Sequence, residues 1–168
     1  AYFGLEKEVD IQLGTLSKSL GSVGGYVAGN STIIDYLVNT SRSFIFSTAL
    51  SPADIGAALA ALQVLESDVS VLRRLHENVN YMADQLISIG INATNETPIF
   101  PILIGRNEDT LAVSDYLYEA GIIGTAIRPP TVPIGESRIR LTVTAAHNKE
   151  QIDYVCQSLH NAMKQLES

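Results

Sequence analysis

Lys18 is the one amine in a stretch of small and hydroxyl residues, Gly14-Thr15-Leu16-Ser17-Lys18-Ser19-Leu20-Gly21-Ser22-Val23-Gly24-Gly25. Apolar runs flank it, Val9-Asp10-Ile11-Gln12-Leu13 before and Tyr26-Val27-Ala28 after. The pattern predicts strand, glycine-rich loop, strand. Between two buried strands a lysine is kept from bulk water, and desolvation disfavours an ammonium ion. That is the setting a Schiff-base lysine needs, because only the free amine attacks a carbonyl. Thr15 and Ser17 add hydroxyls suited to a phosphate, and Gly21, Gly24 and Gly25 let backbone approach a flat ligand. The stretch is not a P-loop, since no glycine directly precedes Lys18. Read from the loop alone, a solvated surface lysine stays open as the alternative.

Two arginines form a second group. Arg138 and Arg140 alternate with Ile139, Leu141 and Val143, which predicts a half-buried strand with both guanidinium groups on its polar face. Like charges side by side are costly unless an anion lies between them, although two solvated arginines on an open face fit the pattern too. Arg128 precedes Pro129-Pro130, whose rings stiffen its loop.

The elements that must position these groups follow in order. Strands are expected at 9–13 and 25–29, in a sheet covered on both faces. Asn30-Ser31-Thr32 offers a helix cap ahead of Ile33, Ile34, Leu37 and Val38. Phe44-Ile45-Phe46 is expected to be a short buried strand, and Ser51-Pro52 to open a helix. Asp68 is expected to cap a long helix over 69–89, whose apolar stripe includes Leu75, Val79, Met82 and Leu86 and which stops at Gly90. Strands are expected at 91–93, at 98–104 with Pro101 favouring an edge or a bulge, at 122–127 and around 138–144. A helix is expected over 107–120. Asn148, with Gln151 in the capping-box position, should open the last one.

Composition narrows the class. The 168 residues are 46% hydrophobic and 17% charged, which fits a globular chain with a sizeable core. A net charge of -7 with no basic cluster argues against nucleic acid as a partner. The single cysteine, Cys156, leaves no intrachain disulfide and points to a reducing, cytoplasmic setting. No run approaches the length of a membrane span, and no metal site is expected. The start, Ala1-Tyr2-Phe3-Gly4-Leu5-Glu6-Lys7, lacks the pattern of a signal peptide.

The lysine stretch resembles that of the pyridoxal-phosphate enzymes of the α-oxoamine synthase family. Two further stretches fit the same family in the same order: Ser43-Phe44-Ile45-Phe46-Ser47-Thr48-Ala49-Leu50-Ser51-Pro52, and Ile127-Arg128-Pro129-Pro130-Thr131-Val132-Pro133 running on to Arg138-Ile139-Arg140-Leu141-Thr142-Val143-Thr144-Ala145-Ala146-His147. The resemblance covers essentially the whole chain. It implies an α/β fold: the end of the large domain of a fold-type I pyridoxal-phosphate-dependent transferase over 1–70, and its small α+β C-terminal domain over 71–168. It implies that Lys18 bonds pyridoxal 5'-phosphate, with Thr15, Ser17, Ser47 and Thr48 around the phosphate. Ser47 and Thr48 would serve the neighbouring subunit of a homodimer. Arg128 and Arg140 would hold the carboxylate of an amino acid, which condenses with an acyl-CoA and loses carbon dioxide. L-alanine and pimeloyl-CoA, in biotin biosynthesis, are the substrates expected. Glycine C-acetyltransferase, or a non-catalytic domain that kept the fold, are the alternatives. Family members are more than twice this long, and nothing here matches the family's Asp-x-x-His segment. The chain is therefore expected to be a C-terminal part, inactive alone. His147 is expected to make a structural hydrogen bond, and His76 to lie on the surface.

Overall fold

The computed structural model describes residues 3–5 and 7–166; Ala1, Tyr2 and Glu6 of the N-terminal run lie outside them. The chain divides into two units, 1–68 and 69–168.

In the first unit, β1 (Ile11–Thr15) and β2 (Gly25–Gly29) pair antiparallel, with Thr15 opposite Gly25 and Ile11 opposite Gly29. The helices α1 (Ser31–Thr40), α2 (Arg42–Ile45) and α3 (Pro52–Ser67) follow. Asn30 caps α1 through Ile33 N–H (2.9 Å), and Ser51 caps α3 with Pro52 in the first turn. Both caps stand where the sequence puts them. The covered sheet does not. Nearly every residue of β1 and β2 is exposed, Leu13 to 82%. Two strands have no second layer to bury against unless other elements supply one. Phe44-Ile45-Phe46 is not a strand either. Phe44 and Ile45 amides both donate to Ser41 O, closing a helical turn, and a three-residue apolar run cannot distinguish the two.

The second unit carries the core. The helix α4 (Ser70–Ser88) leads to β3 (Ile99–Gly105), α5 (Asn107–Glu119), β4 (Thr125–Ile127), β5 (Ser137–Thr142) and α6 (Lys149–Leu166). The three strands form an antiparallel sheet in the order β3-β5-β4. One face is apolar: Phe100, Ile102, Ile139 and Leu141 are buried with Val79, Met82 and Leu86 of α4, Val113 and Leu117 of α5, and Ile152, Cys156 and Leu159 of α6. Burying a side chain of this size fully contributes about 1.5–3 kcal/mol. The capping box at Asn148 forms in both directions, with Gln151 N–H donating to Asn148 Oδ1 (2.8 Å) and Asn148 N–H to Gln151 Oε1 (3.0 Å).

Two expectations fail here for local reasons. Residues 91–93 form no strand, and β4 starts at Thr125 rather than 122. In both places the helix stop takes the next amide: Ile91 N–H donates to Leu86 O and Ile122 N–H to Leu117 O, around Gly90 and Gly121 with φ of +86° and +76°. The Asp68 amide closes α3 on Val64 O, and Val69 is the residue directly before α4.

Pro101 does lie on an edge strand. Val143 N–H donates to Pro98 O, which fixes the hydrogen-bonded pairs of the β3–β5 ladder. Pro101 and Arg140 then form a non-hydrogen-bonded pair, and the proline nitrogen faces away from β5.

Candidate active site

The lysine loop is built by its own backbone. Leu16 N–H donates to Gly24 O (2.9 Å) and Ser22 N–H to Leu16 O (2.9 Å), which pinches the loop above β1 and β2. Inside the pinch, Gly21 N–H donates to Lys18 O (3.1 Å), a turn that Gly21 completes at φ +60°. Lys18 therefore opens a tight turn. The Thr15 and Ser17 hydroxyls are 2.9 Å apart, and Ser17 N–H donates to Thr15 Oγ1 (3.2 Å). Gly24 allows a close approach, since a Cβ there would come within 2.7 Å of Leu50 Cδ1. The Ser22 hydroxyl donates to Asp54 O (2.6 Å), tying the loop to the first turn of α3.

One amine, two hydroxyls and several amides, with no carboxylate between Gly14 and Gly25, form a donor set suited to a phosphorylated aldehyde. These residues fit such a cofactor in kind. The shelter expected for Lys18 is not supplied within the unit: Lys18 is exposed, because the ribbon beneath it is exposed. Ser47 and Thr48 follow α2, and both are exposed. The Ser47 hydroxyl donates to Ser43 O, so it closes its own helix end here.

The arginines lie in the second unit. Arg128 follows β4 directly and is exposed. Arg138 and Arg140 share the open face of β5, as the alternation predicts, opposite buried Ile139 and Leu141. Arg138 is half-buried and bound to Glu136, with Nη2 to Oε2 at 2.9 Å and Nε to the backbone oxygen at 2.9 Å. The reading of the arginine pattern missed Glu136. The sequence offered only proximity, an acid two residues before Arg138; Glu136 itself precedes β5, with its amide donating to Pro133 O in a turn.

His147 is structural. Its Nδ1 accepts from Thr144 N–H (3.0 Å), while the Asn78 amide donates to Thr144 O and His147 O. His76 is exposed. Two other groups titrate away from their ordinary values. The hydrogen bond from the Tyr81 hydroxyl to Asp153 (2.7 Å) raises the Tyr81 pKa. Burial, then the Asp153 charge, pushes Cys156 up to about 11. A cleft of about 470 Å³ opens in the second unit beside Met82, Ile123, His147 and Tyr154, and no predicted site residue lines it.

Residues 1–159 match the sequence pattern of the family described as Aminotransferase class I and II. The 8-amino-7-oxononanoate synthase 1 of Bacillus velezensis is 42% identical over 167 residues, which are 99% of this chain and 43% of that protein. A solved structure of SPT with PLP internal aldimine has a TM-score of 0.92 at 26% identity, covering 98% of this chain and 42% of that one. The 8-amino-7-oxononanoate synthase from Francisella tularensis has a TM-score of 0.82 at 25% identity, over 94% of this chain and 47% of that one. The chain spans less than half the length of these proteins, and the matched part of the curated relatives is C-terminal. The α/β, fold-type I architecture expected from the sequence is the one these structures share. By the match over most of its length, the chain belongs to the aminotransferase class I and II family.

Proposed function

We propose that the chain carries the lysine and carboxylate-binding parts of a pyridoxal-phosphate-dependent C-acyltransferase of biotin biosynthesis. The reaction joins an amino acid, L-alanine, to an acyl-CoA, pimeloyl-CoA, and gives the amino-ketone, carbon dioxide and free CoA. The observation that supports the reading is the backbone-pinched loop, in which Lys18 opens a tight turn just after the paired Thr15 and Ser17 hydroxyls. The 42% identity to the Bacillus velezensis synthase supports the choice of substrates.

Lys18 would hold the cofactor through its amine, with Thr15, Ser17, Ser47 and Thr48 donating to the phosphate. When bound, the cofactor supplies an electron sink for charge developing at the amino-acid α-carbon. Lys18 Nζ accepts the α-proton as general base, which requires its free-amine form. Arg140 or Arg128 grips the carboxylate, whose plane matches a guanidinium fork. Because Lys18 is exposed here, its shelter in the working enzyme comes from elements outside this unit or from a second subunit. We place the enzyme in the cytoplasm as a homodimer. Among the described residues no single helix is long and apolar enough to cross a membrane.

Borohydride reduction of the full-length enzyme with pyridoxal phosphate tests the assignment. Peptide mapping should find the reduced adduct on Lys18. An unlabelled Lys18 would favour a domain that kept the fold without the chemistry. A substrate panel that turns over glycine with acetyl-CoA in preference to alanine with pimeloyl-CoA would move the activity to glycine C-acetyltransferase.

A further inference from the structure

The open face of the β3-β5-β4 sheet carries two guanidinium groups in different states. Arg140 is exposed, and no hydrogen bond or ion pair of its side chain is found among the described residues. Arg138, two residues away, is wrapped by Glu136 through both the carboxylate and the backbone oxygen, and its side chain is only 27% exposed. The neighbours registered against them are uncharged: Leu103 and Ile127 beside Arg138, Pro101 and Thr125 beside Arg140. No carboxylate in that register faces Arg140. Glu136 is the acid that neutralises this face, and it spends its charge on Arg138.

We propose that Glu136 sets the substrate selectivity of this face. By occupying Arg138 it leaves a single guanidinium, Arg140, open to a carboxylate, so the face accepts monocarboxylic amino acids and discriminates against dicarboxylic ones. This rests on the reading that Arg140 meets the amino-acid carboxylate. Residues two apart on a strand are about 6.6 Å apart along it, farther than the two carboxylate carbons of a dicarboxylic amino acid, so two free arginine forks reach both carboxylates by converging along their flexible stems. Glu136 is thus a positioning residue. It acts through Arg138 and need not touch the substrate.

The test compares binding of alanine and aspartate to the full-length holoenzyme by titration calorimetry, in the parent, Glu136→Gln, Glu136→Gln/Arg138→Gln and Arg140→Gln proteins. Freeing Arg138 adds one partly exposed charge-assisted contact, so Glu136→Gln should improve aspartate affinity relative to alanine by roughly tenfold. The double variant should return that ratio to the parent value, which a general loosening of the strand would not do. An unchanged ratio in Glu136→Gln, or a double variant that keeps the altered ratio, overturns the proposal while leaving the role of Arg140 standing. If Arg140→Gln binds alanine as tightly as the parent, the underlying reading of the face fails, and the proposal with it.

Discussion

At the scale of single residues, Lys18 bears the heaviest claim. Its turn is fixed by backbone hydrogen bonds that do not involve its side chain, so Lys18→Ala should leave the loop intact. In the full-length enzyme that substitution should lower kcat by at least about 10³-fold, the upper range for loss of a positioned proton-transfer group. Circular dichroism should be unchanged. Activity within a few fold of the parent would remove Lys18 from the mechanism. Cys156 gives a prediction independent of function. Its thiol, 3% exposed, ionises near 11 when folded against an ordinary value of 9.0. The folded state then holds the proton more tightly. This contribution to stability is present in full below pH 9 and is lost as pH rises from about 9 through about 11. Urea midpoints across that window should fall less steeply in Cys156→Ala than in the parent.

At the scale of elements, the caps were the most legible features. Asn30, Ser51 and Asn148 cap where the sequence places them, because a cap is a local hydrogen bond between residues three apart. Removing the Asn148 side chain leaves α6 without its reciprocal pair. Asn148→Ala should cost about 1 kcal/mol and lower Tm of the 168-residue chain by roughly 2–4 °C, measured by thermal denaturation. Strand starts were less legible. Ile91 and Ile122 read as strand residues from their apolar character, yet both amides are taken by the preceding helix stop. The glycines that make those stops were visible, but not which amide each would use. In the candidate site, the residue types of the lysine loop and the shared face of Arg138 and Arg140 were legible, since both follow from spacing. The exposure of Lys18 was not, because burial depends on what covers β1 and β2. Nor was the commitment of Arg138 to Glu136, which depends on rotamers rather than alternation.

At the scale of the whole molecule the two units differ in self-sufficiency. In the first, Ala58 is the only buried hydrophobic residue among those described, while Leu13, Phe44, Phe46 and Leu59 are exposed. The second holds a continuous core from α4 to α6. Slow opening follows buried contacts, so amide exchange of the isolated 168-residue chain should be slowest at Leu86, Ile139 and Leu159 and fast throughout β1 and β2. Comparable protection in both units would contradict the division. The same chain should also show no amino-ketone formation from alanine and pimeloyl-CoA, because its sequence has no match to the Asp-x-x-His segment that the resemblance calls for. Product formed by the purified 168 residues would refute this.

The nitrogen of Pro101, turned outward from β3, has a consequence for the chain during synthesis. An outer strand offers its spare amides to any extended peptide that drifts past, and such pairing is how nascent chains clump. Here the middle of that margin has no N–H to offer, so a stray strand would find the row of donors interrupted at its centre. The ring that costs the sheet no bond of its own thus denies one to intruders.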